Sequence, residues 1–172
     1  MKNEDSMTPE EQLQFIQNLA EQGNAKAQHN LGAMYLNGQG VDKDVGKAIL
    51  CFKQAAEQGD MLAQHNLGAL YLQGVEQEPD PVEAARWFTL SAMQGDPRSQ
   101  YSLGALYFEG LGIEKDFGKS YIWLSLALQA APKERQDEMR QVRDYVASQL
   151  SPDERDQAQK ATLEILKDMV VH

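Results

Sequence analysis

Apolar residues recur along most of the chain at steps of three and four, the spacing that lines one face of an α-helix. Ala27, Leu31, Tyr35 and Gly38 form one such stripe. Ala48, Ile49, Phe52 and Ala56 form the next, over a helix predicted from about Val45 to Gln58. Gly38-Gln39-Gly40 stops the first helix, because glycine supplies the positive φ of a C-terminal cap. Asp44 is placed to cap the second.

This two-helix pattern returns in phase. Gln28-His29-Asn30-Leu31-Gly32-Ala33-Met34-Tyr35-Leu36 reappears as Gln64-His65-Asn66-Leu67-Gly68-Ala69-Leu70-Tyr71-Leu72, and again as Gln100-Tyr101-Ser102-Leu103-Gly104-Ala105-Leu106-Tyr107-Phe108. Both steps are 36 residues without a gap, which sets the units at 24–59, 60–95 and 96–131. Gly74 and Gly110 follow Gly38, Asp80 and Asp116 follow Asp44, and Ala84 and Ser120 follow Ala48. Asp80-Pro81 and Asp96-Pro97 each place a capping residue before a first-turn proline. Gly59 and Gly95 end the second helices. Two short helices cannot bury their own faces, so the units must stack. The fold class predicted is all-α: an α-solenoid of three 36-residue helix-turn-helix repeats, one domain over 1–172.

The flanks read as caps. Thr8-Pro9-Glu10-Glu11 is a capping box, and the helix that follows carries Leu13, Ile16, Leu19 and Ala20 before Gly23. Ala20-Glu21-Gln22-Gly23 repeats Ala56-Glu57-Gln58-Gly59, so residues 8–23 supply only a second helix. Residues 132–172 hold two more helices. The first runs to about Leu150 with Met139, Val142, Val146 and Leu150 as its apolar line. The second opens at the capping box Ser151-Pro152-Asp153-Glu154 and turns Ala158, Ala161, Ile165 and Met169 inward. Nine helices and no strand are predicted.

Ala27, Leu31-Gly32, Tyr35, Gly38-x-Gly40-Val41, Asp44, Ala48 and Ala55-Ala56 together closely resemble the Sel1-like repeat, a relative of the tetratricopeptide repeat. The resemblance covers 24–131 and is of the small bacterial type. It implies that the Leu-Gly pair is a close-packing step between helices. The tryptophan of the second helix appears as Trp87 and Trp123 but is Cys51 in the first unit, and Glu76 replaces the second glycine of the second loop.

The chain has 172 residues, 16 Lys plus Arg against 26 Asp plus Glu, and a formal net charge of −10. Phosphate binding depends on basic side chains, so this balance argues against nucleic acid and anionic membrane as partners, and neither nucleic-acid binding nor membrane insertion is expected. No apolar run approaches the ~20 residues of a membrane span. The start, Met1-Lys2-Asn3-Glu4-Asp5, has no apolar stretch behind it. The expected location is cytoplasmic, or periplasmic if a signal peptide has been removed.

No catalytic constellation, cofactor motif or metal set emerges. Cys51 lacks a placed histidine partner and stands in a packing position. Asp44, Asp80 and Asp116 are explained as caps. His29 and His65 fall on equivalent helix positions, so their imidazoles could meet, but a metal wants three or four ligands and the third copy offers Tyr101. His172 lies at the tail.

What remains is a surface opposite the Leu31–Tyr35 stripe. It comprises Lys26, His29, Asn30, Ala33 and Asn37 in the first unit, Leu62, His65, Asn66, Ala69 and Gln73 in the second, and Arg98, Tyr101, Ser102, Ala105 and Glu109 in the third. The resemblance implies that these first helices line a concave face. There the alanines admit a ligand backbone and the amides suit a peptide main chain. An equal account of the alanines is crowding by curvature. The expected function is a non-enzymatic interaction module, an adaptor or assembly scaffold that holds a partner protein segment, with the chain itself a monomer. Alternatives are an immunity or antitoxin-type inhibitor and, against the residues present, a hydrolase or β-lactam-binding enzyme.

Overall fold

In the computed structural model the residues described are 8–75 and 78–170, the side chains of 169 and 170 excepted. Expectations for Glu76, Met169 and His172 lie outside them. Among the described residues there are nine helices and no strand: α1 (Pro9–Glu21), α2 (Ala25–Asn37), α3 (Val45–Glu57), α4 (Met61–Gln73), α5 (Pro81–Met93), α6 (Pro97–Glu109), α7 (Phe117–Ala130), α8 (Lys133–Ser148) and α9 (Pro152–Val170). They fall into two compact units, Met1–Pro79 with α1 to α4 and Asp80–His172 with α5 to α9.

Helix starts follow the local chemistry. Thr8 and Glu11 form the reciprocal capping box on α1. Asn24, Asp44, Asp60, Asp80, Asp96 and Asp116 each accept a backbone N–H from the third residue of the helix they open. Ser151 and Glu154 exchange the same pair of bonds at α9. The first helices end on Gly38, Gly74 and Gly110 in the left-handed conformation that a side chain disfavours.

In the first unit α1 packs on α2, α2 on α3 and α3 on α4; in the second, α5 packs on α6, α6 on α7, and α7 on both α8 and α9. The α2–α3 and α6–α7 crossings are built around glycine. A Cβ on Gly32 would stand 2.9 Å from the Phe52 ring, and one on Gly104 would stand 2.8 Å from Leu124. Phe52 and Leu124 are themselves fully buried.

A second device is less visible in the sequence. Gln28, Gln64 and Gln100 are buried, and each Nε2 donates to the carbonyl of the residue eight positions back: Ala20 at 3.1 Å, Ala56 at 3.1 Å and Ala92 at 3.3 Å. These carbonyls belong to the last turn of the preceding helix, and each also accepts the N–H of the glycine three residues on, so the amide supplies a second donor. Gln58 Nε2 in turn donates to Gln28 Oε1 at 2.6 Å. One amide thus joins the end of one unit to the start of the next.

Two outcomes follow for stability. Gly104→Leu should overpack the α6–α7 crossing and lower stability by about 1–3 kcal/mol in denaturant titration; an unchanged midpoint would place the crossing elsewhere. Gln28→Leu strips a donor from the Ala20 carbonyl and the acceptor from Gln58. It should cost about 1–3 kcal/mol, more than the same change at exposed Gln39.

Candidate functional site: the outward faces of the first helices

α2, α4 and α6 turn Leu31, Leu67 and Leu103 inward, so residues about half a turn away face outward. Of the surface expected from the sequence, Lys26, Asn30, Asn37, Leu62, Gln73, Arg98 and Glu109 are exposed. His29, Ala33, His65, Asn66, Ala69, Tyr101, Ser102 and Ala105 are half-buried. Among these, His29, Asn66 and Tyr101 touch neighbouring helices.

His29 shows why. Its ring tilts against Phe52 of α3 at 5.7 Å between centroids, and its Nε2 lies 3.2 Å from Asn66 Nδ2 on α4. With the ring neutral and protonated on Nδ1, Nε2 accepts from the carboxamide. The histidine ladder therefore takes the form of a His–Asn rung, offset by one residue, and the Asn66 carbonyl oxygen keeps its acceptor capacity. In the third copy Tyr101 packs toward Ala127, Ala131 and Met139, which makes it part of the cap core rather than an open contact. Arg98 is committed too: its Nε lies 3.1 Å from Asp96, the buried capping carboxylate of α6. Asp96 also accepts from Ser99, whose hydroxyl stands 2.8 Å from that of Ser91. The sequence signal for this network was only two serines at alanine positions of the repeat.

Charge is scarce here. α4 contains no ionisable acid or base other than His65 and Tyr71, and α2 adds only Lys26, His29 and Tyr35. In α8, by contrast, half the residues are charged. Chemistry is equally sparse among the described residues. No group of three or more His, Cys, Asp or Glu could hold a metal ion, and no helix is long and apolar enough to cross a membrane. The three recurring aspartates are engaged as caps. A shallow cleft of about 340 Å3 lies between α7 and α9, lined by Ile122, Leu150, Ala158 and Ala161 with Lys119 and Glu154 at its edge.

The Sel1 repeat profile matches residues 25–60, 62–96 and 97–131, more than half of the chain. The chain belongs to the Sel1 repeat family. Its α-solenoid class is the one that the repeat pattern predicts. A Sel1 repeat protein from Oxalobacter formigenes is 30% identical, with a TM-score of 0.68, over 75% of this chain and 97% of that one. The protective antigen c5321 of uropathogenic Escherichia coli, described as displaying this repeat fold, is 27% identical with a TM-score of 0.53. That match covers 94% of this chain and 42% of the antigen. No curated protein matches the sequence significantly. Sel1 repeat proteins are generally non-catalytic protein-interaction modules.

Cys51 stands where this chain's other Sel1 repeats carry Trp87 and Trp123, and it is buried. Burial pushes its thiol up from the ordinary cysteine range, since the thiolate loses hydration. The nucleophilic form is therefore suppressed at neutral pH. In the native protein at pH 7 Cys51 should react with a thiol reagent at least tenfold more slowly than in urea-unfolded chain; equal rates would mean an accessible thiol.

Proposed function

We propose that this Sel1 repeat protein is a non-enzymatic adaptor that holds an extended segment of a partner protein against the outward faces of its first helices. The observation that carries this reading is the charge-poor face of α2 and α4. Solvated helix faces are ordinarily dense in charge, whereas the centres of interfaces are depleted of it. Here the exposed positions carry Asn30, Asn37 and Gln73, with Leu62 and Lys26 beside them. Carboxamides offer both a donor and an acceptor, which is what the backbone of an extended segment requires. Ala33 and Ala69 keep the strip low, and the Asn66 carbonyl is oriented by its bond to His29. α6 carries Ser102, Ala105 and Glu109 at the same register positions. The partner is a protein, and the chain is expected to act as a monomer in the cytoplasm.

The test begins with the tagged protein recovered from its native cell and the partner that co-purifies. In the triple variant Asn30→Ala, Asn37→Ala and Gln73→Ala, all three sites are exposed and helicity should be unchanged. Binding should weaken by at least ~2 kcal/mol, given roughly 0.5–1.5 kcal/mol per neutral hydrogen bond. Undiminished affinity with intact folding would move the interface off these helices.

A further inference from the structure

We infer that the cleft between α7, α8 and α9 is a binding site for the carboxyl terminus of another protein chain, with Arg155 receiving the carboxylate. The aliphatic side chain of that chain's last residue lies along α9. The site is separate from the α2/α4 strip and does not rest on that reading. α7 packs on both α8 and α9, and two connected cavities open between the three helices. One, of about 290 Å3, is lined by Arg143 and Asp144 of α8, by Arg155 and Gln159 of α9 and by Tyr121 of α7. The other, of about 260 Å3, continues beside Leu128, Leu163 and Leu166. Tyr121, Arg143 and Gln159 line both. Each is smaller than the ~300 Å3 at which pockets for whole small molecules begin, so the pair suits one end of a longer molecule.

Charge in the first cavity is unbalanced. Arg143 is paired with its neighbour Asp144, and its guanidinium carbon stands 5.9 Å from the centre of the Tyr121 ring. Arg86, Arg98 and Arg140 are likewise paired with carboxylates. Arg155 has no carboxylate partner among the described residues. Its Nη2 donates to the Ala147 carbonyl at 2.7 Å, and its Nε is buried without a hydrogen bond. A cation taken partly out of water calls for a counter-charge, and the guanidinium fork matches a carboxylate. Beside it the Tyr121 hydroxyl oxygen accepts from Gln159 Nε2 at 3.5 Å, which leaves the phenol proton to donate. The second cavity fits what precedes a terminal carboxylate. Leu163, 58% exposed, offers it an apolar wall. Ser125 lines the same cavity, is 9% exposed, and its hydroxyl has no hydrogen-bond partner among the described residues. A peptide group can satisfy that hydroxyl and a hydrocarbon chain cannot, which favours a peptide over a fatty acid.

The probes are acetyl-glycyl-glycyl-leucine with a free carboxylate, the same peptide as its carboxamide, and octanoate. Each is titrated into the full 15N-labelled chain. The free acid should bind about tenfold more tightly than the carboxamide, the worth of one hydrogen-bonded charge. It should shift the amides of Arg155, Gln159 and Leu163. Arg155→Gln should remove the preference for the acid. Leu163→Ala, at an exposed helix position, should weaken the acid roughly threefold with the melting temperature unchanged. Acid and carboxamide are compared on the unaltered chain, so that result stands even if Arg155→Gln fails to fold. If Arg155 only ties α9 to α8, the two peptides bind alike, and the assignment is overturned. No shift in the cleft at millimolar peptide would overturn it too. Tighter binding by octanoate than by the peptide would give the site to a lipid carboxylate instead.

Discussion

Where a first helix crosses a second, the distance between their backbones is set by the absence of one methyl group. Gly32 lies under the Phe52 ring and Gly104 under Leu124, each closer than a real Cβ would allow. Close approach lets a 13-residue helix bury a whole face on its neighbour, and dispersion between tightly packed atoms gives such short helices the stability they lack alone. It also fixes the loop. Asp44 N–H reaches back to Tyr35 O, and Asp116 N–H to Tyr107 O, in bonds of 3.0 Å. Those bonds form only if the second helix starts close beside the end of the first. Turn closure and core packing at these two crossings thus share a single spacing.

Most of this was legible because it is written in residues with narrow uses. Glycine at 38, 74 and 110 has a positive φ, and aspartate at 44, 80 and 116 accepts from a helix N-terminus. The Thr8–Glu11 and Ser151–Glu154 boxes formed as read. What escaped were polar side chains whose partners are distant in sequence. Nothing local distinguishes the buried Gln28 from the exposed Gln39, because its task is set by a carbonyl on another helix. His29 and Asn66 are 37 positions apart, and an alignment of equivalent residues points to His65 instead. Tyr101 follows His29 and His65 in the repeat, but its neighbours are cap residues that the repeat does not contain.

The functional reading rests on the distribution of charge more than on any constellation of reactive groups. Acidic and basic side chains crowd the C-terminal helices, with eight in α8, and almost desert α2 and α4. Every potentially reactive group considered has a structural assignment: the aspartates are capping residues, Cys51 is buried, and His29 is held between Phe52 and Asn66. The exposed amides Asn30, Asn37 and Gln73 are what the proposed reading leaves for a partner. That agrees with what Sel1 repeats generally do.

The glutamine stitches have a bearing on how such a chain can change length. Each buried amide reaches the carbonyl eight residues upstream, so the donor travels with one unit and the acceptor with the unit before it. Removing or duplicating a whole 36-residue block leaves every junction with one donor and one acceptor. An insertion of any other length between donor and acceptor separates them and leaves the carbonyl with only the bond from its own capping glycine, and the buried amide without its acceptor. Growth by tandem copying is therefore quantised at the level of a single hydrogen bond, and a descendant of this gene can gain or lose a unit without having to invent a new joint.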